Sequence, residues 1–350
     1  MSLSSRLSRL SRPGLCQFRF HFHSHLQLNL HLQQRIASLS SASVDRGRDA
    51  LLRRVYAPFA GLAKGSPEYT ALAQSGRVWE DYFQPGDSDR YGYIKLQQQH
   101  ADTLDDIDDW KGFIAAMPSS MTIRSLVPPY AHQSVAIEDN KLHLEHAGTL
   151  NDHLETFLPS LISMTAPEIS HRPLPDKLLY ETPGRLESPR TKIRCLSAVL
   201  LKDTRSEDVY KHPWDKRVLL EDYRSAPISV KSNLLRIFPY HDEVPACMRR
   251  FIQWRDKVTL ERRLHPLIAA CQMTAYLLHI HPLLDGNGRV LRLLMQDYMI
   301  RHGYAPVVIQ DLDRREDIDM ISRAQDGEPD DFVTTILSTE LEELKTFGLR

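Results

Sequence analysis

The first 44 residues contain no Asp, Glu or Lys, cysteine is scarce throughout, and no uninterrupted apolar run reaches the roughly 18 residues that a membrane-spanning helix needs. The missing apolar run excludes a helical membrane span. The four cysteines, Cys16, Cys195, Cys247 and Cys271, are far apart and form no C-x-x-C pair. They therefore suggest neither a disulfide framework nor a zinc site, and read as reduced structural thiols. Forty-four Lys and Arg against 45 Asp and Glu give a formal net charge of -1, without the basic excess of a nucleic-acid-binding surface. The nucleotide-binding pattern G-x-x-x-x-G-K-[ST], the kinase motifs and the zinc pattern H-E-x-x-H are all absent, and no internal repeat is visible.

What is present is a chain of 350 residues, 42% hydrophobic and 25% charged, enough for a full core in one large or two modest domains. The acid-free start carries Arg6, Arg9, Arg12, Arg19 and Arg35 among many serines. At about 100° per residue, Leu3, Leu7 and Leu10 share one side of a helix and Arg6, Arg9 and Arg12 the other, until Pro13. This is the pattern of a mitochondrial transit peptide or of a basic tail, which leaves mitochondrial and cytoplasmic locations both open. His21, His23, His25 and His31 lie within this leader and read as incidental.

Four segments follow from the patterning: a Ser/Arg-rich leader over 1–44, a helical region over 45–128, an amphipathic segment over 129–170 entered through Pro128-Pro129, and a larger domain over 171–345. Short helical patterns are expected within DALLRRVYAPFAGLAK and LQQQHADTLDDIDDWKGFIAAM, and helices in VPACMRRFIQWRDK and LHPLIAACQMTAYLLHI. In the last of these Leu267, Ile268, Cys271, Ala275 and Leu278 form a stripe, and the helix should be largely buried. RREDIDMISRAQ and DDFVTTILSTELEELKTF complete the helices. One apolar strand or helix is expected around 195–201, and a β-hairpin over 223–238, where apolar runs flank Lys231-Ser232-Asn233. The fold class is mainly α, a helical bundle with one hairpin. Trp79, Trp110, Trp214 and Trp254 read as packing residues.

One stretch calls for chemistry: HPLLDGNGRVLR, His281 to Arg292. Asp285-Gly286-Asn287-Gly288 reads as a loop, because Gly, Asp and Asn are poor helix-interior residues. The periodic VLRLLMQDYMI after it places Arg289 and Arg292 in a first helical turn. Cations there face the positive end of the helix dipole, so an anion should offset them; the alternative is pairing with surface carboxylates. Backbone amides, two arginines and one Asp suit a nucleoside triphosphate with Mg²⁺. His281, where the preceding helix enters the loop, is placed to take a proton from an attacking hydroxyl. A metal site from His279, His281 and Asp285 is the competing reading, although its spacing matches no helical zinc pattern.

The stretch is similar to the signature of the Fic (Fido) family, His-x-Phe-x-(Asp/Glu)-Gly-Asn-Gly-Arg-x-x-Arg, departing only at Leu283, and the likeness continues through about ninety flanking residues. In that family the side chain at this position points into the core, so Leu283 softens the loop without removing chemistry. The resemblance implies a protein adenylyltransferase using ATP and Mg²⁺. His281 would be the general base for a Ser, Thr or Tyr hydroxyl and Asp285 the Mg²⁺ ligand. Gly286, Asn287 and Gly288 would cradle the α-phosphate, with Arg289 on the β-phosphate and Arg292 on the γ. The hairpin would be a flap that registers an extended segment of the target protein at Ser229 and Val230 by strand addition.

SVAIEDN, Ser134 to Asn140, resembles the family's inhibitory motif (Ser/Thr)-x-x-x-Glu-(Gly/Asn), with Asp139 where Gly is common. It implies that Glu138 pairs with Arg292 and withdraws it from the γ-phosphate. Two other readings stay open: Glu138 orients a water that removes AMP from a modified protein, or the site is an inactive nucleotide-binding module. Whether the chain acts as a monomer or a homodimer is equally open, and neither nucleic acid nor a membrane is an expected partner.

Overall fold

The computed structural model describes residues 46–112, 129, 132–134, 197, 201, 220, 222–230, 233, 235–309 and 312–348. The chain divides into two compact units, Met1–Arg54 with Asn233–Ile237, and Val55–Ser232 with Phe238–Arg350. In the first, residues 46–54 are helical and the described residues of 233–237 are not. The second holds nine helices among its described residues: α1 (Pro67–Ser75), α2 (Arg77–Phe83), α3 (Tyr93–Gln99), α4 (Ala101–Asp109), α5 (Val244–Glu261), α6 (Pro266–Ile280), α7 (Asn287–Arg301), α8 (Arg314–Gln325) and α9 (Asp330–Gly348). The fold is mainly α, as the patterning indicates.

The expected hairpin over 223–238 has no strand among its described residues, which show only isolated bridge positions at Val230 and Asn233. The residues from 222 to 230 lack regular secondary structure. Ser225, Pro227 and Ser229 are exposed and alternate with the less exposed Arg224, Ala226, Ile228 and Val230. That period of two keeps one side of the segment facing out.

The short helical patterns are broken within their stretches. In 96–117, His100, with φ -103° and ψ 19°, ends α3 and begins α4. The 49–64 stretch stops short as well. Its helix ends before the single 3₁₀ turn Ala57–Phe59, which contains Pro58, a residue with no N–H to continue an α-helical ladder.

Helix α6 is the axis of the second unit, packing on α3, α5, α7, α8 and α9. It is buried on nearly every side rather than along one stripe, and Leu278, assigned to that stripe, is one of its less buried residues. A helix with neighbours all round has no solvent face to leave polar, and its composition follows. His265 caps its start by accepting from the Leu267 N–H at 3.3 Å, and Pro266 occupies the first position. Cys247 and Cys271, the two cysteines among the described residues, are free and buried. Trp79 is fully buried, and Trp254 donates to the Gly86 carbonyl at 2.8 Å, so both act in packing; Trp214 lies outside the described residues.

Candidate active site

Helix α6 ends at His281, which adopts the left-handed conformation (φ 50°, ψ 62°) and whose N–H bonds to the Leu277 carbonyl at 3.0 Å. A non-glycine residue there carries strain of about 1–3 kcal/mol, which the surroundings must offset. Arg224 supplies much of that support. Its Nε donates to the His281 carbonyl at 2.8 Å, Nη1 to the Ala226 carbonyl at 3.1 Å and Nη2 to the Pro239 carbonyl, while its backbone N–H donates to the Pro282 carbonyl at 2.9 Å. Arg224 is only 2% exposed, and burial lowers its pKa to about 10. Nothing in the sequence reading singled it out. A lone Arg before a Ser-Ala-Pro stretch carries no local signal, since its partners lie 2, 15 and 57 positions away.

The His281 ring packs on Phe238 with centroids 4.8 Å apart, and its Nδ1 lies 3.3 Å from the Leu278 carbonyl. That acceptor favours the tautomer with hydrogen on Nδ1, leaving Nε2 as the proton acceptor. Burial, and then the charge of Arg224, push the pKa of His281 down to about 4. The ring is therefore neutral near pH 7.

The turn beyond His281 is tied by one side chain. Asn287 Oδ1 accepts from the Leu283 N–H at 2.9 Å, and its Nδ2 donates to the Leu283 carbonyl at 2.9 Å. Leu283 is 1% exposed and anchors the turn in the core, the placement the resemblance implies for this position. Gly286 stands at φ 78°, ψ 8° as the residue before α7, and a Cβ there would collide with the side chain of buried Leu201.

Helix α7 starts at Asn287, two residues earlier than the loop reading expects. Asn287 and Gly288 are tolerated because first-turn amides make no intrahelical bond. Arg289 is then the third residue of the helix and Arg292 the sixth, so Arg292 sits in the second turn rather than the first. The amides of Asn287, Gly288 and Arg289 precede the first helical bond, from the Val290 N–H to the Gly286 carbonyl at 3.0 Å. An N-terminus of this kind has the unpaired amides and dipole that suit an anion.

Both arginines face carboxylates. Arg289 Nη2 lies 3.6 Å from Asp285 Oδ2, and Asp285 is the more exposed partner. Arg292 Nη1 lies 3.1 Å from Asp317 Oδ2, with both side chains about nine-tenths buried (10% and 11% exposed). Arg292 also points Nε at Ser134 Oγ (3.4 Å) and Nη2 at the Ser134 carbonyl (3.2 Å). Ser134 thus meets Arg292 across 158 positions of sequence. Glu138 lies outside the described residues. Asp317 was not among the expected site residues.

The competing metal reading does not assemble. The ring of His279 packs edge-on against Trp79 and Phe83, each centroid 4.8 Å away, while His281 turns toward Phe238. Among the described residues no group of three or more His, Cys, Asp or Glu could hold a metal ion. The single partly exposed carboxylate of Asp285 fits Mg²⁺ better, because that ion keeps waters and takes much of its coordination from phosphate.

The Fic/DOC family model matches residues 189–299. The protein adenylyltransferase Fic of Drosophila erecta is 36% identical over 98 residues, covering 28% of this chain and 20% of that protein, and its namesake in Culex quinquefasciatus is 37% identical over 28% and 19%. The chain thus matches about a fifth of the length of these curated relatives. Among solved structures, a Fic domain containing signaling protein from Bacteroides thetaiotaomicron is 18% identical with a TM-score of 0.48, over 69% of this chain and 94% of that one. A Fic-1 fragment from C. elegans is 20% identical with a TM-score of 0.44, over 87% and 95%. The turn from His281 to Arg292 falls inside the segment that the Fic/DOC family model matches.

Proposed function

We propose that this chain transfers AMP from ATP to a Ser, Thr or Tyr hydroxyl of a target protein. The observation that carries the reading is the placement of a neutral His281 at the exit of α6, one short turn from an anion-binding helix start flanked by Asp285, Arg289 and Arg292. His281 Nε2 takes the hydroxyl proton, the hydroxyl oxygen bonds to the α-phosphorus, and the bond from that phosphorus to the bridging oxygen breaks, releasing pyrophosphate. The amides at Gly286 to Gly288 hold the α-phosphate, Arg289 the β and Arg292 the γ. Mg²⁺, when bound at Asp285, neutralises phosphate charge. Phosphate negative charge beside His281 opposes the field of Arg224, so the imidazole becomes more basic once nucleotide is in place.

The segment 222–230, exposed at Ser225, Pro227 and Ser229, would offer backbone at Ser229 and Val230 to an extended target segment. Glu138, four residues from Ser134, is the inhibitory carboxylate in this reading. The name shared by the curated relatives supports the activity. A second reading, removal of AMP from a modified protein, is favoured by the engagement of Arg292 with Ser134 and Asp317, since that reaction needs no γ-phosphate site.

The test is transfer of label from ATP to the chain itself or to lysate protein. Glu138→Gly should label, and His281→Ala in the same background should not. Equal labelling with and without His281, or none in any variant, removes the transfer reading. Release of AMP from an adenylylated protein by the unaltered chain would establish the second.

A further inference from the structure

Asp317 belongs to α8, 25 positions beyond Arg292 in sequence. The start of α8 is built to keep it in place. Asp313 caps the helix, accepting from the Arg315 and Glu316 N–H groups, while the Glu316 side chain accepts from the Asp313 N–H, a reciprocal capping box. The Asp317 N–H donates to the Asp313 carbonyl at 3.1 Å, so its carboxylate projects from the first turn of a well-anchored helix, near the positive end of the dipole. From there it meets Arg292 Nη1 at 3.1 Å, with both side chains about nine-tenths buried. A guanidinium engaged on three nitrogens, by the Asp317 carboxylate and by two atoms of Ser134, is not presented to an incoming phosphate. To reach a γ-phosphate it has to leave Asp317 or share it.

We infer that Asp317 is a specificity residue, a fixed carboxylate that competes with the γ-phosphate for Arg292 and so sets how strongly the site prefers a nucleoside triphosphate over a diphosphate. The inference rests on the reading that Arg292 serves the γ-phosphate, and it deepens that reading by naming a second competitor besides Glu138. The electrostatic logic is direct. A triphosphate gains the Arg292 contact only after displacing an ion pair that is already formed and largely dry. A diphosphate never reaches that contact and so loses nothing to Asp317. Replacing Asp317 by the isosteric Asn removes the competing charge and leaves Arg292 short of one in the resting state, which makes a γ-phosphate the better partner.

The measurement is calorimetric binding of Mg-ATP and Mg-ADP to the full chain carrying Glu138→Gly, with and without Asp317→Asn. The Asn variant should bind ATP about tenfold or more tightly while ADP changes by less than about twofold, and ATP should raise its melting temperature more than ADP does. Asp317→Glu, which keeps the charge, should retain the original ratio and guards against misfolding as the explanation. Parallel changes for both nucleotides, or weaker ATP binding, overturn the role given to Asp317 and leave the site reading standing. If neither nucleotide binds any variant, the site reading falls and this inference with it.

Discussion

Arg224 Nε donates to the carbonyl oxygen of His281 at 2.8 Å, so a buried cation grips the backbone of the residue read as the base while its charge weakens that residue's basicity. One side chain therefore helps to fix where the imidazole sits and adds to the effect of burial in keeping it neutral.

Separating the two effects is practical. Arg224→Lys keeps the charge and loses most of the carbonyl contacts, and should lower kcat on the order of 100-fold with KM for ATP little changed, because the base is misplaced and the phosphate cradle is not. Arg224→Gln should do the same and also move the acid limb of the kcat/KM profile. The pKa of His281, depressed to about 4, rises once the neighbouring positive charge is gone, so activity is lost at higher pH as the solution is acidified. An identical acid limb in both variants would separate Arg224 from the titration of His281.

Gly286→Ala should abolish nucleotide binding and destabilise the chain by about 1–3 kcal/mol, since a residue with a Cβ is strained at φ 78° and its methyl collides with Leu201. Adding Leu201→Ala relieves the collision but not the strain. The double variant should therefore recover only part of the melting temperature, and full recovery would show that strain is negligible there.

Asn287→Ala should cost about 2–4 kcal/mol in urea unfolding, because it leaves the Leu283 N–H and carbonyl buried without the bonds that Asn287 provides. Asn287→Asp restores one acceptor and sets a carboxylate against the Leu283 carbonyl, so it should remain well below the unaltered chain. A stability close to that of the unaltered chain in either variant would mean that the turn closes by other means.

Stability should also fall as pH rises from about 6.5 to 8. Glu340, fully buried in α9 and accepting from the Ala305 N–H at 2.9 Å, has its pKa pushed up to about 8 by burial. The folded state therefore holds a proton that the unfolded carboxylate has already lost, and the contribution, complete below the ordinary carboxylate range, is lost as pH rises through about 8. Glu343, raised to about 7 and accepting from the Val308 N–H, adds to the same slope. His281 acts oppositely and lower down, since its depressed pKa removes stability as pH falls from about 6.5 toward 4. Glu340→Gln should flatten the alkaline decline in thermal unfolding; an unchanged slope would place its origin elsewhere.

Much of this molecule is legible from local patterning. The bounds of α8 and α9 and the capped, Pro-started α6 follow from signals within a few residues of each helix end. The turn from His281 to Arg292 is equally legible, because Gly and Asn accept backbone geometries that few other residues do. The start of α7 was misjudged by two residues, since composition alone does not show that first-turn amides tolerate Gly and Asn. That α6 is largely buried is legible in its composition, but which five helices cover it is not, because no window of the sequence contains them.

The sequence by itself determined which groups are available: an imidazole, a carboxylate, a run of small residues and two guanidiniums in one short segment, with helix formers on both sides. Only the tertiary structure decided what each group faces, that Arg224 holds His281, that Asp317 and Ser134 hold Arg292, and that His279 turns toward Trp79 and away from any metal. The reason is distance along the chain: backbone geometry and helix spacing act over a few residues, whereas the hydrogen bonds of buried arginines join positions 25, 57 and 158 apart and exist only once the helices have packed.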